Sequence, residues 1–440
     1  MQTQDEKISL INGRIHTLTS TTSNITFEHG RITSIDDEPG TLNGRVIDLQ
    51  GRTVLPAFCD TGLNLLGWAE GQERLSLTGT RSLQDLTSAL AQYSRANPNP
   101  LRGWYVAQGL PEGLKLTHDD IDDVIPAIPC AVIDPHNARV VLNSSAMHEF
   151  NMPQDSVELD EFNTHLPPLS EEDIITLVKT CAQKINALGI TEVWADFRSD
   201  SQRLWDIFSS DAYDSLTFRL RCNFGYSSVN DLNEFLASGL RTGDGLPFCR
   251  LGGILVDDSA KQDEQKNMIN SAHLSGCQLI TGSSKECLTS LERVSQRFTK
   301  NSRHLIRSNV LSNTLLERMR LLDVGGVTSP AQDEGMIHQA FRNGLVVSAA
   351  SGNSLTSPMK NISSMVINGL SVSEAVCVYS WSAAWNGRCE SRRGDLTLGN
   401  DADIVVLEKD PFLVSPGEIA GIDVTMTFSA GVCVYDSGTI

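Results

Sequence analysis

Over the first 55 residues, apolar and polar positions alternate in short runs broken by turn residues. Runs at 8–11, 15–18, 24–28 and 31–35 have the period of two expected of half-buried strands, with Asn12-Gly13 and His29-Gly30 as tight turns. Two more, 46–49 and 53–55, follow on either side of Gln50-Gly51. From Pro56 the texture changes to short apolar or β-branched runs separated by longer amphipathic stretches. Helices are expected at 82–94 with Ser82 as N-cap, and at 171–188, 262–274, 285–298, 313–322 and 334–343. Strands are expected at 130–133, 191–195, 251–256, 277–280, 304–306, 326–328 and 345–348. A further helical stretch at 371–385 leads back to strand texture at 402–407, 424–428 and 432–435.

Strand–helix alternation at this count and spacing predicts a parallel sheet with crossover helices, and a (β/α)₈ TIM barrel fits the length best. The expected plan is an α/β chain in two parts. Residues 56–393 form the barrel, while 1–55 and 394–440 together form a small β-sandwich built from both chain ends.

Composition narrows the partners. The formal net charge is −19, which repels phosphate backbones and anionic lipid, so neither nucleic acid nor a membrane is an expected partner. No apolar run reaches the roughly 18 residues of a membrane helix, and the charged N-terminus lacks a leader's apolar region; a cytoplasmic protein is expected. The ten cysteines are scattered with no CxxC pair, as expected of buried thiols in a reducing compartment.

Several segments carry a family resemblance. Residues 12–18 (NGRIHTL), 27–35 (FEHGRITSI) and 46–59 (VIDLQGRTVLPAFC) resemble the entry of the amidohydrolase superfamily. Residues 394–411 (GDLTLGNDADIVVLEKDP) resemble its return to the sandwich, and 142–147 (LNSSAM), 188–196 (LGITEVWAD), 301–306 (NSRHLI) and 371–385 agree in order. The chain looks most like the amidohydrolase-3 branch, which includes N-substituted formamide deformylase. This resemblance implies one or two divalent metals at the C-terminal mouth of the barrel, lowering the pKa of a bound water and polarising a carbonyl. It also implies the ligands: an H-x-H after the first strand, a lysine after the fourth, histidines after the fifth and sixth, and an aspartate after the eighth.

None of those donors is at its place. The first motif reads Asp60-Thr61-Gly62-Leu63-Asn64, with Gly62 and Asn64 where the histidines belong. Leu255 stands for the lysine, so carbamylation is unavailable. Thr281 or Gly282 stands on the fifth strand, and Ser308, preceded by Arg307, on the sixth. Gly352 stands for the aspartate, and Ala138 for the substrate-facing histidine. Hydrogen, methyl, hydroxyl and amide groups cannot grip a zinc-like ion in place of imidazole and carboxylate. Arg307 adds a fixed positive charge that would repel a cation.

The leftover candidates are His136, near Asp134, and the adjacent carboxylates Asp257 and Asp258 after the fourth strand, each set against the plainer reading of a solvated loop. Asp196 is read the same way, His273 as solvated, and His304 as a structural hydrogen-bonding residue. No Ser-His-Asp order, G-x-S-x-G elbow, Walker loop or G-x-G-x-x-G stands out.

The expected function is therefore a catalytically degenerate amidohydrolase-like protein without cofactor, a binding, regulatory or assembly subunit for an unknown protein partner or small ligand. One alternative is an active hydrolase of non-peptide C–N bonds with a relocated site and, in that case only, a divalent metal. The other is a metal-independent small-molecule sensor. The resemblance also implies a possible homodimer.

Overall fold

The structure is a computed structural model describing residues 6–36, 44–152, 156–198, 200–210, 216–226, 228–256, 261–295, 302–310, 312–332 and 335–439. By its internal contacts the chain divides into two compact units, one of residues 1–65 with 181–440 and one of residues 66–180.

In the first unit eight parallel strands form one sheet in sequence order. They are β1 (Phe58–Leu63), β2 (Ile190–Phe197), β3 (Arg219–Gly225), β4 (Cys249–Val256), β5 (Gln278–Thr281), β6 (Leu305–Arg307), β7 (Gly325–Thr328) and β8 (Val347–Ala349). The far edges meet: Leu63 bridges to Gly352, Asn64 donates its N–H to the Gly352 carbonyl at 2.8 Å, and Gly352 donates to the Gly62 carbonyl at 2.8 Å. Gly352 makes this closure with φ of +73°, a conformation open to glycine without strain. This is a (β/α)₈ barrel. Its strands are buried almost throughout, because a parallel sheet is covered on both faces. Outward positions such as Ile254, Val256 and Leu279 pack with Met268, Ile269, Leu288 and Leu316 of the surrounding helices.

Both chain ends build the sandwich. One sheet orders Arg31–Asp36, Asn24–Glu28, Ile8–Ile11 and Arg45–Asp48. The other runs Val432–Asp436, Val424–Ser429, Ile404–Leu407, Thr53–Pro56, Arg14–His16 and Thr21–Thr22. The ends meet where Ile404–Leu407 pairs antiparallel with Thr53–Pro56, and Leu10, Phe27, Val54, Val406 and Phe428 fill the space between the sheets.

The second unit has a five-stranded sheet of its own, ordered Ser156–Glu158, Arg139–Leu142, Cys130–Asp134, Tyr105–Gln108 and Leu75–Ser76. The strand foreseen at 130–133 thus belongs here and not to the barrel, a distinction that apolar texture alone does not carry. Buried Asn143 ties the unit together. Its Oδ1 accepts from the N–H groups of Cys130 and Ala146, both at 2.9 Å, and its Nδ2 donates to the carbonyls of Ile125 (2.7 Å) and Ile128 (3.0 Å). Ser82 caps the helix Leu83–Ala96, accepting from Asp85 N–H at 3.1 Å.

Candidate functional site

The barrel interior is filled in layers. In the middle, Trp194, Leu255, Ile280, Leu305, Val327 and Ala350 form one apolar cluster. Trp194 is among the largest fully buried side chains in the protein, and its Nε1 donates to Glu192 at 2.9 Å. Leu255 is thus core packing, in the manner of the side-chain layers that fill such barrels.

Above this layer, at the C-terminal ends of the strands, stands a charged pair. Arg307, the last residue of β6, bonds through Nη1 to Asp196 Oδ2 and through Nη2 to Asp196 Oδ1 at 3.3 Å. Asp196 also accepts from Asn223 Nδ2 at 3.0 Å, and Asn223 Oδ1 accepts from Gly253 N–H at 2.8 Å. The Asp196 side chain is only 9% exposed, so it is not the solvated loop carboxylate expected from sequence. The guanidinium reaches β1. A β-carbon built on Gly62 would stand 2.7 Å from Arg307 Nη2 and 3.0 Å from Ala350 Cβ. The absence of a side chain at Gly62 is what admits the guanidinium.

Asp60, buried on β1, accepts from the N–H groups of Gly62 (3.1 Å) and Ser351 (3.2 Å), tying the first strand to the segment after the eighth. Burial pushes its carboxyl above the usual range, against the pull of those hydrogen bonds and with Asp196 adding to the rise.

An amidohydrolase family model matches residues 45–267 and 363–435, more than half of the chain. This chain belongs to the amidohydrolase family. YtcJ of Bacillus subtilis, which bears an amidohydrolase name, is 22% identical over an alignment that covers 92% of this chain and 93% of that protein. The exoenzymes regulatory protein AepA of Pectobacterium carotovorum is 28% identical over 152 residues, 31% of this chain and 33% of its own. Among solved structures, an uncharacterised metal-dependent hydrolase of Pyrococcus horikoshii superposes with a TM-score of 0.76 at 16% identity, covering 93% of this chain and 99% of its own. At that identity the likeness speaks for the fold.

The family's metal can be tested against the mouth as it is built. Of the carboxylates described there, Asp60 is engaged by backbone amides and Asp196 by Arg307 and Asn223. A guanidinium lies beside the position of the first expected ligand, and a neighbouring cation raises the cost of placing a divalent ion there. Among the described residues no three His, Cys, Asp or Glu side chains gather as a metal would need. The described residues of the mouth do not fit the group.

The structure disposes of the other amidohydrolase positions as follows. Asn64 is exposed, its Nδ2 3.4 Å from Asn353 Oδ1. Thr281 is buried and turned to the Gly282 carbonyl at 3.1 Å; Gly282 donates its N–H to Val256 at 3.2 Å. Ser308 bonds to the Val310 carbonyl at 2.8 Å and lies 3.3 Å from Ser283 Oγ. His136 belongs to the second unit, exposed in a turn where its backbone N–H is bonded to Asp134. Asp257 and Asp258 lie outside the described residues. His304 is the structural residue expected: its Nδ1 accepts from Leu279 N–H at 3.1 Å, which leaves the proton on Nε2 to donate to His273 Nδ1 at 2.9 Å. His273 is therefore a buried partner and not solvated.

Sequence reasoning missed the pairing of Asp196 with Arg307. The signal available was a carboxylate and a guanidinium, each ending a barrel strand with the same inward parity.

Proposed function

We propose that this amidohydrolase-family chain is a pseudoenzyme, a barrel that has exchanged its metal centre for an internal ion pair and serves in binding, regulation or assembly. The observation that carries the reading is the Arg307 guanidinium, pinned by Asp196 and lying where a side chain at Gly62 would project. Water activation by a Lewis acid needs open coordination positions and anionic or imidazole donors. Among the described residues this mouth offers a cation, two carboxylates already engaged, glycines, hydroxyls and aliphatic side chains instead. The regulatory name of AepA is in keeping with this reading, though it attaches to a match over a third of that protein.

The test is turnover. Purified protein is assayed on formamides, N-acyl amines, cyclic amides and activated esters, with zinc, manganese, iron or nickel supplied and then chelated. The expected result is no metal-dependent, chelator-sensitive hydrolysis. Such hydrolysis, abolished by substitutions at the mouth, would overturn the proposal in favour of a second reading as an active hydrolase, which the hydrolase names of YtcJ and the Pyrococcus protein favour.

A further inference from the structure

The opposite end of the barrel carries a feature the pseudoenzyme reading does not use. At the N-terminal ends of β2, β3 and β4, a cavity of about 150 Å³ is lined by Arg219, Arg221, Arg250, Arg388, Arg393 and a single carboxylate, Glu192. Its volume is an order of magnitude above the ~10–15 Å³ that one water needs. Five guanidiniums in one small space are unexpected in a protein of net charge −19.

Two of the five are neutralised from behind. Arg219 pairs with Asp403 at 2.6 Å and Asp401 at 3.3 Å, and Arg393 with Glu192 and with Asp401 at 3.3 Å. These pairs join the barrel to the returning sandwich strand. The other three have no carboxylate partner among the described residues. Arg221 donates to the Gly387 carbonyl (2.8 Å) and Gln278 Oε1 (3.0 Å), and its guanidinium carbon lies 4.6 Å from the centre of the Trp194 ring. Arg250 donates to the Gly243 carbonyl at 3.2 Å, and Arg388 to that of Ser302. The Nε atoms of Arg221 and Arg388 are buried without a hydrogen-bond partner among the described residues. Glu192 is near enough to favour the charge on Arg221, but its oxygens are taken by Trp194 and Arg393. Burial, with the repulsion of Arg221 and Arg303, pulls the Arg388 guanidinium down to about 10.

Charge buried as at Arg221, or half-buried as at Arg388, is costly without a paired carboxylate, and guanidinium forks, the exposed one of Arg250 included, match the oxygens of tetrahedral oxyanions. We propose that this cavity is a binding site for a compact polyvalent oxyanion of the phosphate class, held by Arg221, Arg250 and Arg388. The proposal does not rest on the reading of the barrel mouth and stands or falls separately from it.

The experiment follows thermal unfolding and calorimetric titration of the full chain with inorganic phosphate, in chloride of matched ionic strength. Arg250→Gln removes an exposed arginine, so the fold is expected to stay intact. Arg388→Gln removes one that repels its neighbours, so in chloride alone it should unfold no earlier than the parent. Phosphate is expected to stabilise the parent saturably at low millimolar concentration, unlike the unsaturable effect of an excluded salt. Each variant should bind roughly tenfold more weakly, the loss of one charge-assisted contact. A phosphate monoester, glycerol 3-phosphate, separates two forms of the site: equal binding marks a pocket for the terminal group of a larger ligand, and binding of free phosphate alone marks a closed anion site. If phosphate acts no differently from chloride, or both variants bind it as the parent does, the proposal is wrong.

Discussion

Arg307 and Gly62 set the chemistry of the mouth together. The sequence showed both: a glycine where imidazole belongs, and an arginine beside the serine that stands for the sixth-strand histidine. What it did not show was that they meet, because the contact is set by barrel closure and not by spacing. Nor did it show Asp196 as the counterion, 111 residues away in the chain. Two predictions belong at this scale. Gly62→Ala forces a methyl against Arg307 and Ala350, and urea unfolding should record a loss of about 1–3 kcal/mol. In the Arg307→Ala background that cost should shrink, which a double-mutant cycle measures directly. Arg307→Ala itself strands a buried carboxylate. The loss should be roughly 2–4 kcal/mol, below the ~3–5 of a fully buried pair because Arg307 keeps a quarter of its side chain in water.

Among the elements, those with a strong apolar period were legible from sequence, and two helices, Gln262–Leu274 and Asn313–Leu322, were placed to the residue. The strand β3 was not. Its sequence RLRCNFG puts arginines at alternate positions, a pattern that reads as a solvent face. In the structure those arginines are buried at the closed end of the barrel, where Trp194, Glu192, Asp401 and Asp403 receive them. The strand β1 was hidden for the reverse reason, since Asp60-Thr61-Gly62 breaks its apolar run. In the second unit, the LNSSAM segment that supports the family resemblance holds a helix cap and a strand together through Asn143. Replacing Asn143 with alanine leaves up to four buried backbone groups unpaired. A loss of about 3–5 kcal/mol in chemical denaturation is expected, enough to distinguish a structural asparagine from one kept for ligand contact.

For the molecule as a whole, acid sensitivity follows from the histidine pair. Burial, aided by His273 and Arg388, holds His304 down at about 3, well below the 6.5 of a free imidazole. The unfolded chain therefore takes up a proton near 6.5 that the folded chain refuses until near 3, and stability is lost progressively as pH falls across that window. Asp60, with its carboxyl raised, contributes with the opposite sign at the acidic end. Urea unfolding at about pH 7 and about pH 5.5 should differ by about 1 kcal/mol through His304, and His304→Gln should flatten the dependence by that amount.

The central claim is that an internal ion pair has taken the place of the family's metal. Elemental analysis of protein purified without chelators, then dialysed against zinc, manganese, iron and nickel in turn, tests it most directly. The account predicts metal far below stoichiometric in every case. One tightly held equivalent, lost on substitution of Asp60 or Asp196, would contradict it.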